Sequence, residues 1–168
     1  MIFLTGERIV IRSVLQKDAD SMFFYRNDPV CSKYQRGQLK KKEEISALIA
    51  RMEGRALFSA KRILLAIADK ESSDIIGELS VLYDNGCVTL GYTIAPDKQR
   101  QGYAYEAISL FLDAHFKRFP IVCVICRVLP ENEASIALLR KLGFDNCGYS
   151  NESDSLIFKK TKISNTRR

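Results

Sequence analysis

A stretch rich in charged and amide side chains, PDKQRQGYAYEA at positions 96–107, separates an alternating apolar run from an apolar run with helical spacing. Where a strand passes into a helix, the first backbone N–H groups of the helix lack intrahelical partners, so they can bind an anion. Gly102 and Ala104 are small enough to let a bulky anion approach the backbone, and Lys98 and Arg100 add positive charge. The junction therefore predicts a phosphate or pyrophosphate site, with an ordinary glycine-capped turn as the alternative.

Two common nucleotide-binding motifs and a cysteine framework are missing from the sequence. Neither G-x-x-x-x-G-K-[ST] nor G-x-G-x-x-G occurs, which argues against a P-loop and a Rossmann site. The five cysteines are odd in number and scattered, so they do not suggest disulfide bonds. Cys123 and Cys126 form a C-x-x-C, but residues three apart in a strand point to opposite faces. We expect no metal site and interpret these cysteines as buried apolar side chains.

The spacing of apolar residues predicts elements in the order β-α-α-β-β-β-α-β-α-β-β. An Asp-Asn-Gly turn at 84–86 indicates a hairpin, and the helix that follows the junction is predicted to end near Pro120. Ligands of open α/β sheets collect at the carboxyl ends of strands beside such crossover helices. The predicted strands are about 7–14, 62–69, 74–84, 87–95, 121–128, 143–150 and 154–160, and the helices are about 17–28, 40–53, the junction to 118, and 131–144.

The composition indicates one domain over residues 1–160, because 46% of the 168 residues are hydrophobic. No run approaches the roughly 20 apolar residues of a membrane span. The N-terminus lacks a signal-peptide pattern, so we expect a cytoplasmic protein with no membrane partner. The net charge is +6, and the five positive charges in residues 159–168 leave +1 for the remainder. Residues 161–168 are expected to be a frayed basic tail, and a role in nucleic-acid binding is disfavoured.

Residues Gln99 to Ala104 match (Q/R)-x-x-G-x-(G/A), the signature of the GNAT superfamily of acyl-CoA N-acyltransferases. The longer stretch LGYTIAPDKQRQGYAYEA, followed by PENEASIALLRKLGF, resembles the RimJ/RimL-like branch of that family. The resemblance implies an α/β fold with a mixed, mostly antiparallel seven-stranded sheet, flanked by about four helices and splayed at its central parallel pair. It also implies acetyl-CoA as co-substrate and a primary amine as acceptor. We expect no metal, and a monomer or homodimer.

The same resemblance assigns the cofactor site to two stretches and one asparagine. The backbone of Tyr92, Thr93 and Ile94 would pair with the pantetheine arm as an added strand. Asn132 matches an asparagine that contacts CoA in the family. The pyrophosphate would lie against the residues of the junction, which are Gln99, Arg100, Gln101, Gly102, Tyr103, Ala104 and Tyr105.

Acetyl transfer to an amine requires a base for the amine, a hydrogen-bond donor for the oxyanion and a proton for the thiolate. By family resemblance, the oxyanion donor is a backbone N–H near Ile94. Many members of the family protonate the thiolate with a tyrosine at the position that Leu139 occupies here. Ser135 instead matches the serine that serves this role in the RimJ/RimL-like branch, although a polar residue in a first helical turn is the simpler interpretation.

The general base is less well defined by the sequence. Glu78 lies mid-strand among apolar residues, where a carboxylate is unusual unless it is functional or held in a structural ion pair. Glu152, Asp154 and water are the other candidates, and the two carboxylates would favour a cationic acceptor if they face the cleft. His115, the single histidine, is expected to be a surface or packing residue.

The sequence leaves two alternatives to catalysis open. A non-catalytic acyl-CoA-binding or sensing domain is supported by Leu139 and opposed by Ser135. A ribosome- or RNA-associated module would use the basic tail. The acceptor, whether a protein N-terminus or a small-molecule amine, is not fixed by the sequence. The early helices offer candidate walls for its cleft, namely Phe23, Phe24, Tyr25, Arg26 and Tyr34.

Overall fold

The computed structural model describes residues 1–119 and 123–162, which contain eight strands and five α-helices. The strands are β1 (Ile2–Thr5), β2 (Ile9–Ser13), β3 (Arg62–Asp69), β4 (Ile75–Asp84), β5 (Cys87–Ile94), β6 (Cys123–Val128), β7 (Asp145–Ser150) and β8 (Ser155–Thr161). The helices are α1 (Ala19–Asn27), α2 (Pro29–Ser32), α3 (Lys42–Met52), α4 (Tyr103–Arg118) and α5 (Glu133–Lys141). Within the described residues, no helix is long and apolar enough to cross a membrane.

The strands form one mixed sheet in the order β1-β2-β3-β4-β5-β6-β8-β7. Among the described strands, all neighbours are antiparallel except β5 and β6, which pair in parallel from Cys87 to Thr89 on β5. Beyond that point β5 continues to Ile94 and β6 continues to Val128 without pairing to each other. The predicted fold is therefore confirmed, including a sheet that is splayed at its central parallel pair.

The sheet has one strand more than the seven predicted, because Ile2–Thr5 forms an additional edge strand against β2. The stretch IFLT is three apolar residues followed by a threonine, so it lacks the alternation that identifies a strand in sequence. Two other boundary predictions lie outside the described residues: the helix stop at Pro120, and the first two residues of the strand expected at 121–128.

Strand β3, in the interior of the sheet, is covered by helices on both faces. All residues from Ile63 to Ala68 are buried. Leu64 and Ala66 pack in a cluster with α1 and α3, whereas Leu65 and Ile67 pack in a cluster with α4 and α5. A strand that is covered on both faces has a continuous apolar sequence instead of an alternating one.

A disulfide bond joins Cys87 to Cys123, so the expectation that these cysteines are unpaired is wrong. The register of the parallel pair sets Cys87 opposite Cys123, and the count and spacing of cysteines cannot reveal such a register. Cys126 is a free thiol buried in the cluster with α4 and α5, as expected for an apolar cysteine.

The last strand extends to Thr161, one residue into the stretch predicted as a tail. β8 lies between β6 and β7, and pairing with β6 continues to Thr161. Lys160 is held further by a hydrogen bond from its Nζ to the carbonyl of Leu142 at 2.8 Å. Part of the basic end therefore belongs to the sheet, while residues 163–168 lie outside the described part of the chain.

Candidate active site

The predicted anion site lies where β5 passes into α4. Gly102 precedes the helix with a φ of 82°, in the left-handed region that glycine adopts without strain. The first intrahelical hydrogen bond runs from the Glu106 N–H to the Gly102 carbonyl at 3.0 Å, so the N–H groups of Tyr103, Ala104 and Tyr105 have no acceptor in the preceding turn. These residues line a cavity of about 690 Å³ together with Lys98, Arg100 and residues of α5. The positive end of the helix dipole and two cations thus face the same cavity.

Arg8, which belongs to no motif in the sequence, supports this junction through contacts with Gln101 and Glu106. Its backbone N–H and its Nε donate to the two carboxylate oxygens of Glu106 at 2.8 and 2.9 Å, and its Nη1 donates to the Gln101 carbonyl at 2.9 Å. The guanidinium also lies 4.4 Å from the centre of the Tyr103 ring. Burial would raise the pKa of Glu106, but the hydrogen bonds from Arg8 lower it below its ordinary value. The start of the chain thereby fixes the first turn of α4.

The two glutamines of the junction stabilise the loop. Gln99 Nε2 donates to the Ile94 carbonyl at 2.9 Å, and Gln101 Nε2 donates to the Asp97 carbonyl at 2.9 Å. Gln99 lines the cavity, whereas Gln101 does not. The amides in this segment therefore close the connection between β5 and α4, which positions the backbone N–H groups.

The end of β5 presents backbone groups at an open edge. The Ala95 N–H donates to the Ile76 carbonyl of the β4 side at 2.9 Å. Because backbone groups alternate between the two edges of a strand, the N–H of Thr93 also faces β4, while those of Tyr92 and Ile94 face the edge that β6 leaves unpaired. Of the three residues expected to pair with pantetheine, Tyr92 thus has backbone groups available, and Ile94 has its N–H, since its carbonyl already accepts from Gln99. Thr93 contributes its side chain to the cavity wall.

A second cavity of about 340 Å³ meets the first one at the splayed strands. Ser135 and Tyr92 lie at the meeting point, and their hydroxyl groups are hydrogen-bonded to each other. Burial raises the pKa of Tyr92 well above its ordinary value, so its hydroxyl stays protonated at neutral pH. Leu139 is fully buried in the core. The residues that line both cavities are Tyr34, Gln35, Tyr92, Thr93, Asn132 and Ser135.

Asn132 has a clear structural role at this meeting point. It precedes α5, and its Oδ1 accepts a hydrogen bond from the Ser135 N–H at 3.2 Å, which caps the helix. The cap fixes the first turn of α5, and with it the position of the Ser135 hydroxyl.

Glu78 lines the second cavity and is 5% exposed. Its carboxylate accepts hydrogen bonds from the Tyr25 hydroxyl at 2.7 Å and from Arg26 Nε at 3.1 Å, and Arg26 Nη2 forms an ion pair with its second oxygen. Desolvation, and then the charge of Glu78, raise the pKa of Tyr25. On the adjacent strand Glu78 lies directly opposite Thr93. The carboxylate is therefore both held in an ion pair and close to the splayed strands.

The other candidate carboxylates, Glu152 and Asp154, are exposed and line neither cavity. Asp154 is exposed in the turn between β7 and β8, and its Oδ1 accepts a hydrogen bond from the Tyr149 hydroxyl. His115 lines neither cavity and is buried against Phe111, with ring centres 5.6 Å apart. Burial lowers the pKa of His115, which fits a neutral packing residue.

Comparison with known families identifies the fold that holds these residues. A profile described as an acetyltransferase (GNAT) domain matches residues 8–145 of the chain. This chain belongs to the GNAT acetyltransferase family. Among curated proteins, the GNAT chain is similar to the uncharacterized N-acetyltransferase YoaA of Bacillus subtilis, with 28% identity over 150 residues that cover 86% of this chain and 84% of YoaA.

Solved structures share the GNAT fold at low sequence identity. An acetyltransferase (GNAT family) from Bacillus anthracis superposes with a TM-score of 0.80 and 20% identity, covering 96% of this chain and 98% of the other. Mycobacterium smegmatis RimJ, in complex with CoA-disulfide, has a TM-score of 0.80 and 18% identity, covering 94% and 86%. At these identities the similarity is one of fold.

In this GNAT domain, the site residues that the sequence did not predict are hydrogen-bonding partners of the residues that it did. The loop after α2 approaches the meeting point of the cavities, where Gln35 Nε2 donates to Thr93 Oγ1 at 2.7 Å and the Tyr34 hydroxyl donates to the Glu131 carbonyl at 3.3 Å. The sequence predicts Tyr34 only as an aromatic wall of the acceptor cleft. Gln35 lies in a polar stretch between helices that carries no motif, so no signal in the sequence could have identified it. Among the described residues, His, Cys, Asp and Glu form no cluster of three or more that could hold a metal ion.

Proposed function

We propose that this protein is an acetyl-CoA-dependent N-acetyltransferase that transfers acetyl directly to a primary amine while both substrates are bound. The observation that carries the proposal is the meeting of two cavities at the Tyr92–Ser135 hydroxyl pair. The larger cavity would hold acetyl-CoA and the smaller one the acceptor, so that the thioester and the amine meet at the splayed strands. Direct transfer needs such a meeting point and no covalent enzyme intermediate.

The groups that line the larger cavity are of the kinds that bind CoA. The N–H groups of Tyr103, Ala104 and Tyr105 would bind the pyrophosphate, with charge from Lys98 and Arg100. The open edge at Tyr92 and Ile94 would pair with the amides of pantetheine, as an extended peptide pairs with a sheet edge. Asn132 would act mainly by positioning Ser135, since its side-chain oxygen caps α5.

The proposal assigns a group of this chain to each step of the reaction. As the amine nitrogen attacks the thioester carbon, the Ile94 N–H would stabilise the oxygen that becomes negative. The carbon–sulfur bond then breaks, and the thiolate would receive the proton of the Ser135 hydroxyl, which Tyr92 replaces through their hydrogen bond. The proton of the amine would pass to Glu78, directly or through a water molecule.

The finer assignment to the RimJ/RimL-like branch is part of the proposal. It is supported by Ser135, by the absence of a tyrosine at Leu139 and by a fold shared with a RimJ structure. The acceptor would be a protein N-terminus or a small-molecule amine. The non-catalytic alternative is weakened by a serine hydroxyl at the point where the two cavities meet.

An acetylation assay over a panel of amines tests the proposal, with released CoA thiol and acetylated product as the two readouts. The assay is best run in a Cys147→Ser background, because Cys147 is the exposed free thiol of the described chain and would react with a thiol reagent. We expect thiol release that depends on the amine and matches the acetylated product in amount. Acetyl-CoA binding without release for any amine would instead identify a binding domain.

A further inference from the structure

The charges that line the smaller cavity are unbalanced. Three arginines and one glutamate line it: Arg26, Arg36, Arg127 and Glu78. Arg26 and Glu78 form an ion pair with each other and are both largely buried. Two positive charges therefore remain, on Arg36 and Arg127, and both residues are exposed to solvent.

Arg127 lies close to the point at which β5 and β6 separate. It follows Ile125, the last residue of β6 that pairs with β5, by two positions. Its Nη1 reaches across to Thr89 Oγ1 at 3.4 Å, so the guanidinium spans the gap between the two strands. Within residues 1–119 and 123–162, no carboxylate forms an ion pair with it.

Arg36 lies in the loop after α2 and lines the same cavity. Its Nη2 donates to the Asp154 carbonyl at 2.9 Å and to Ser155 Oγ at 2.7 Å. Both acceptors are neutral, so the charge of Arg36 is not compensated by these contacts. The Asp154 carboxylate is bonded to Tyr149 and lies outside the cavity lining, as does Glu152. The premise for a cationic acceptor, two carboxylates facing the cleft, is therefore not met.

We propose that the acceptor amine carries an anionic group, a carboxylate or a phosphate, which Arg127 and Arg36 bind in the smaller cavity. This inference rests on the proposed acetyl transfer, because it assigns the smaller cavity to the acceptor. Guanidinium groups bind carboxylates and phosphates through parallel hydrogen bonds, and charge complementarity selects one partner against its neutral analogue. Glu78, opposite Thr93, would attract the ammonium end of the same molecule. A compound with both charges is thus favoured over a simple cationic amine.

Two matched pairs of acceptors test the inference. The first pair is aspartate α-amide and asparagine α-amide, and the second is phosphoserine α-amide and serine α-amide. Within a pair the reacting amine is the same and only the anionic group differs. We expect kcat/KM for the anionic member to exceed that of its neutral analogue by about tenfold in at least one pair, a size typical of hydrogen bonds to a charged group. The pair with the larger ratio identifies carboxylate or phosphate as the preferred group.

Variants connect that preference to the two arginines. In the double variant Arg36→Gln/Arg127→Gln we expect the ratio to fall towards one. Lys159→Gln is the matched control, because it removes an exposed positive charge from β8 outside both cavities, and it should keep the wild-type ratio. A wild-type ratio of one or below, or a ratio that survives in the double variant, would overturn the inference.

A binding measurement separates this inference from the proposed transfer. The N-acetylated forms of the two acceptor pairs are the products, and their effect on the melting temperature can be measured with CoA present. If neither amine is acetylated but the anionic product stabilises the wild type and not the double variant, the anion site stands and the transfer fails. If neutral amines are acetylated as well as anionic ones, the transfer stands and the anion site fails. If neither turnover nor anion-dependent stabilisation is seen, both are wrong.

Discussion

Two hydroxyl groups, of Tyr92 and Ser135, define the point at which the chemistry is proposed to occur. The family resemblance implies Ser135 as the proton donor to the thiolate, and it implies pairing of the Tyr92 backbone with the pantetheine arm. The structure adds the hydrogen bond between the two side chains and the burial that raises the pKa of Tyr92. A tyrosine that is protonated at neutral pH can pass its proton to Ser135 after the serine has protonated the thiolate, and it then regains a proton from water. The proton donor is therefore a pair of residues in our proposal.

We expect Ser135→Ala to lower kcat by roughly 100-fold, in the range found for loss of a general acid. Tyr92→Phe should lower kcat less, because Ser135 can still donate its own proton and recover one from water. Neither change should alter CoA affinity by more than about twofold, since neither hydroxyl touches the proposed phosphate site. Steady-state kinetics and CoA titration check both. Unchanged turnover in Ser135→Ala would remove the serine from the mechanism.

The raised pKa of Tyr92 also has a consequence for the pH profile. The protonated form is the donor, so activity that depends on it is lost only as pH rises through its pKa. Because burial raises that pKa above its ordinary value of 10.0, we expect no loss of kcat from Tyr92 up to about pH 9.5. A wild-type profile with a falling limb near neutrality that Tyr92→Phe abolishes would contradict this assignment.

Two variants distinguish a role of Glu78 as general base from a role in its ion pair with Arg26. If Glu78 takes the amine proton, Glu78→Gln should lose roughly 100-fold in kcat/KM at pH 7 and recover part of it at high pH, where free amine is abundant. Arg26→Gln is the matched control, because it breaks the same ion pair and keeps the carboxylate. Each change is expected to reduce the free energy of unfolding by about 3 kcal/mol, which thermal or urea melts would report. Equal losses of activity in both variants would make the ion pair, and not the base, the role of Glu78.

At the scale of elements, the connection between β5 and α4 is held in place by contacts from several sides. Gln99 and Gln101 close the loop on itself, and Arg8 bonds the first turn of the helix through Glu106. The positive φ of Gly102 means that a larger residue there would strain the backbone, and its Cβ would lie 3.3 Å from Arg8 Nη2. A substitution at Gly102 therefore cannot separate folding from cofactor binding, and the next small residue offers a cleaner test.

Ala104→Glu places a carboxylate in the first turn of α4. Acidic residues at that position favour the helix, but this one would occupy the proposed phosphate site and repel the anion. We expect acetyl-CoA affinity to fall by at least about tenfold, the effect of one repulsive charge contact in a partly desolvated site. Ala47→Glu, on the exposed face of α3, makes the same chemical change away from both cavities and should leave the affinity unchanged. Equal affinity in the two variants would exclude the start of α4 as the phosphate site.

The whole molecule shows which features a sequence can reveal. The order of elements followed from periodicity, and the junction from Gln99 to Ala104 could be recognised because its residues are contiguous. The partners of these residues could not be recognised, because they depend on strand register and helix packing: Arg8 and Glu106 lie 98 residues apart, and Arg26 and Glu78 lie 52 apart. The RimJ/RimL-like branch and the role of Ser135 were inferred from family resemblance. The charge of the smaller cavity could not be predicted from the sequence, because the residues that line it come from separate elements.

Ligand binding should be measurable as stability of the whole domain. A ligand that binds only the folded state adds about 2.7 kcal/mol at 100 times its Kd. For a domain of 168 residues this corresponds to a rise in melting temperature of roughly 5–10 °C. We expect such a rise with acetyl-CoA in a thermal melt, and a much smaller one with the Ala104→Glu variant. No rise at millimolar acetyl-CoA would contradict the cofactor assignment for the entire site.

The disulfide bond between Cys87 and Cys123 closes a covalent ring of backbone. The ring contains all of β5 and the whole junction, so every proposed cofactor residue from Tyr92 to Tyr105 lies inside it, while Asn132 and Ser135 lie outside. A protease that cuts one exposed peptide bond within the ring leaves the two halves of the chain joined. The nicked protein would therefore migrate as one species on a non-reducing gel and as two fragments once the bond is reduced.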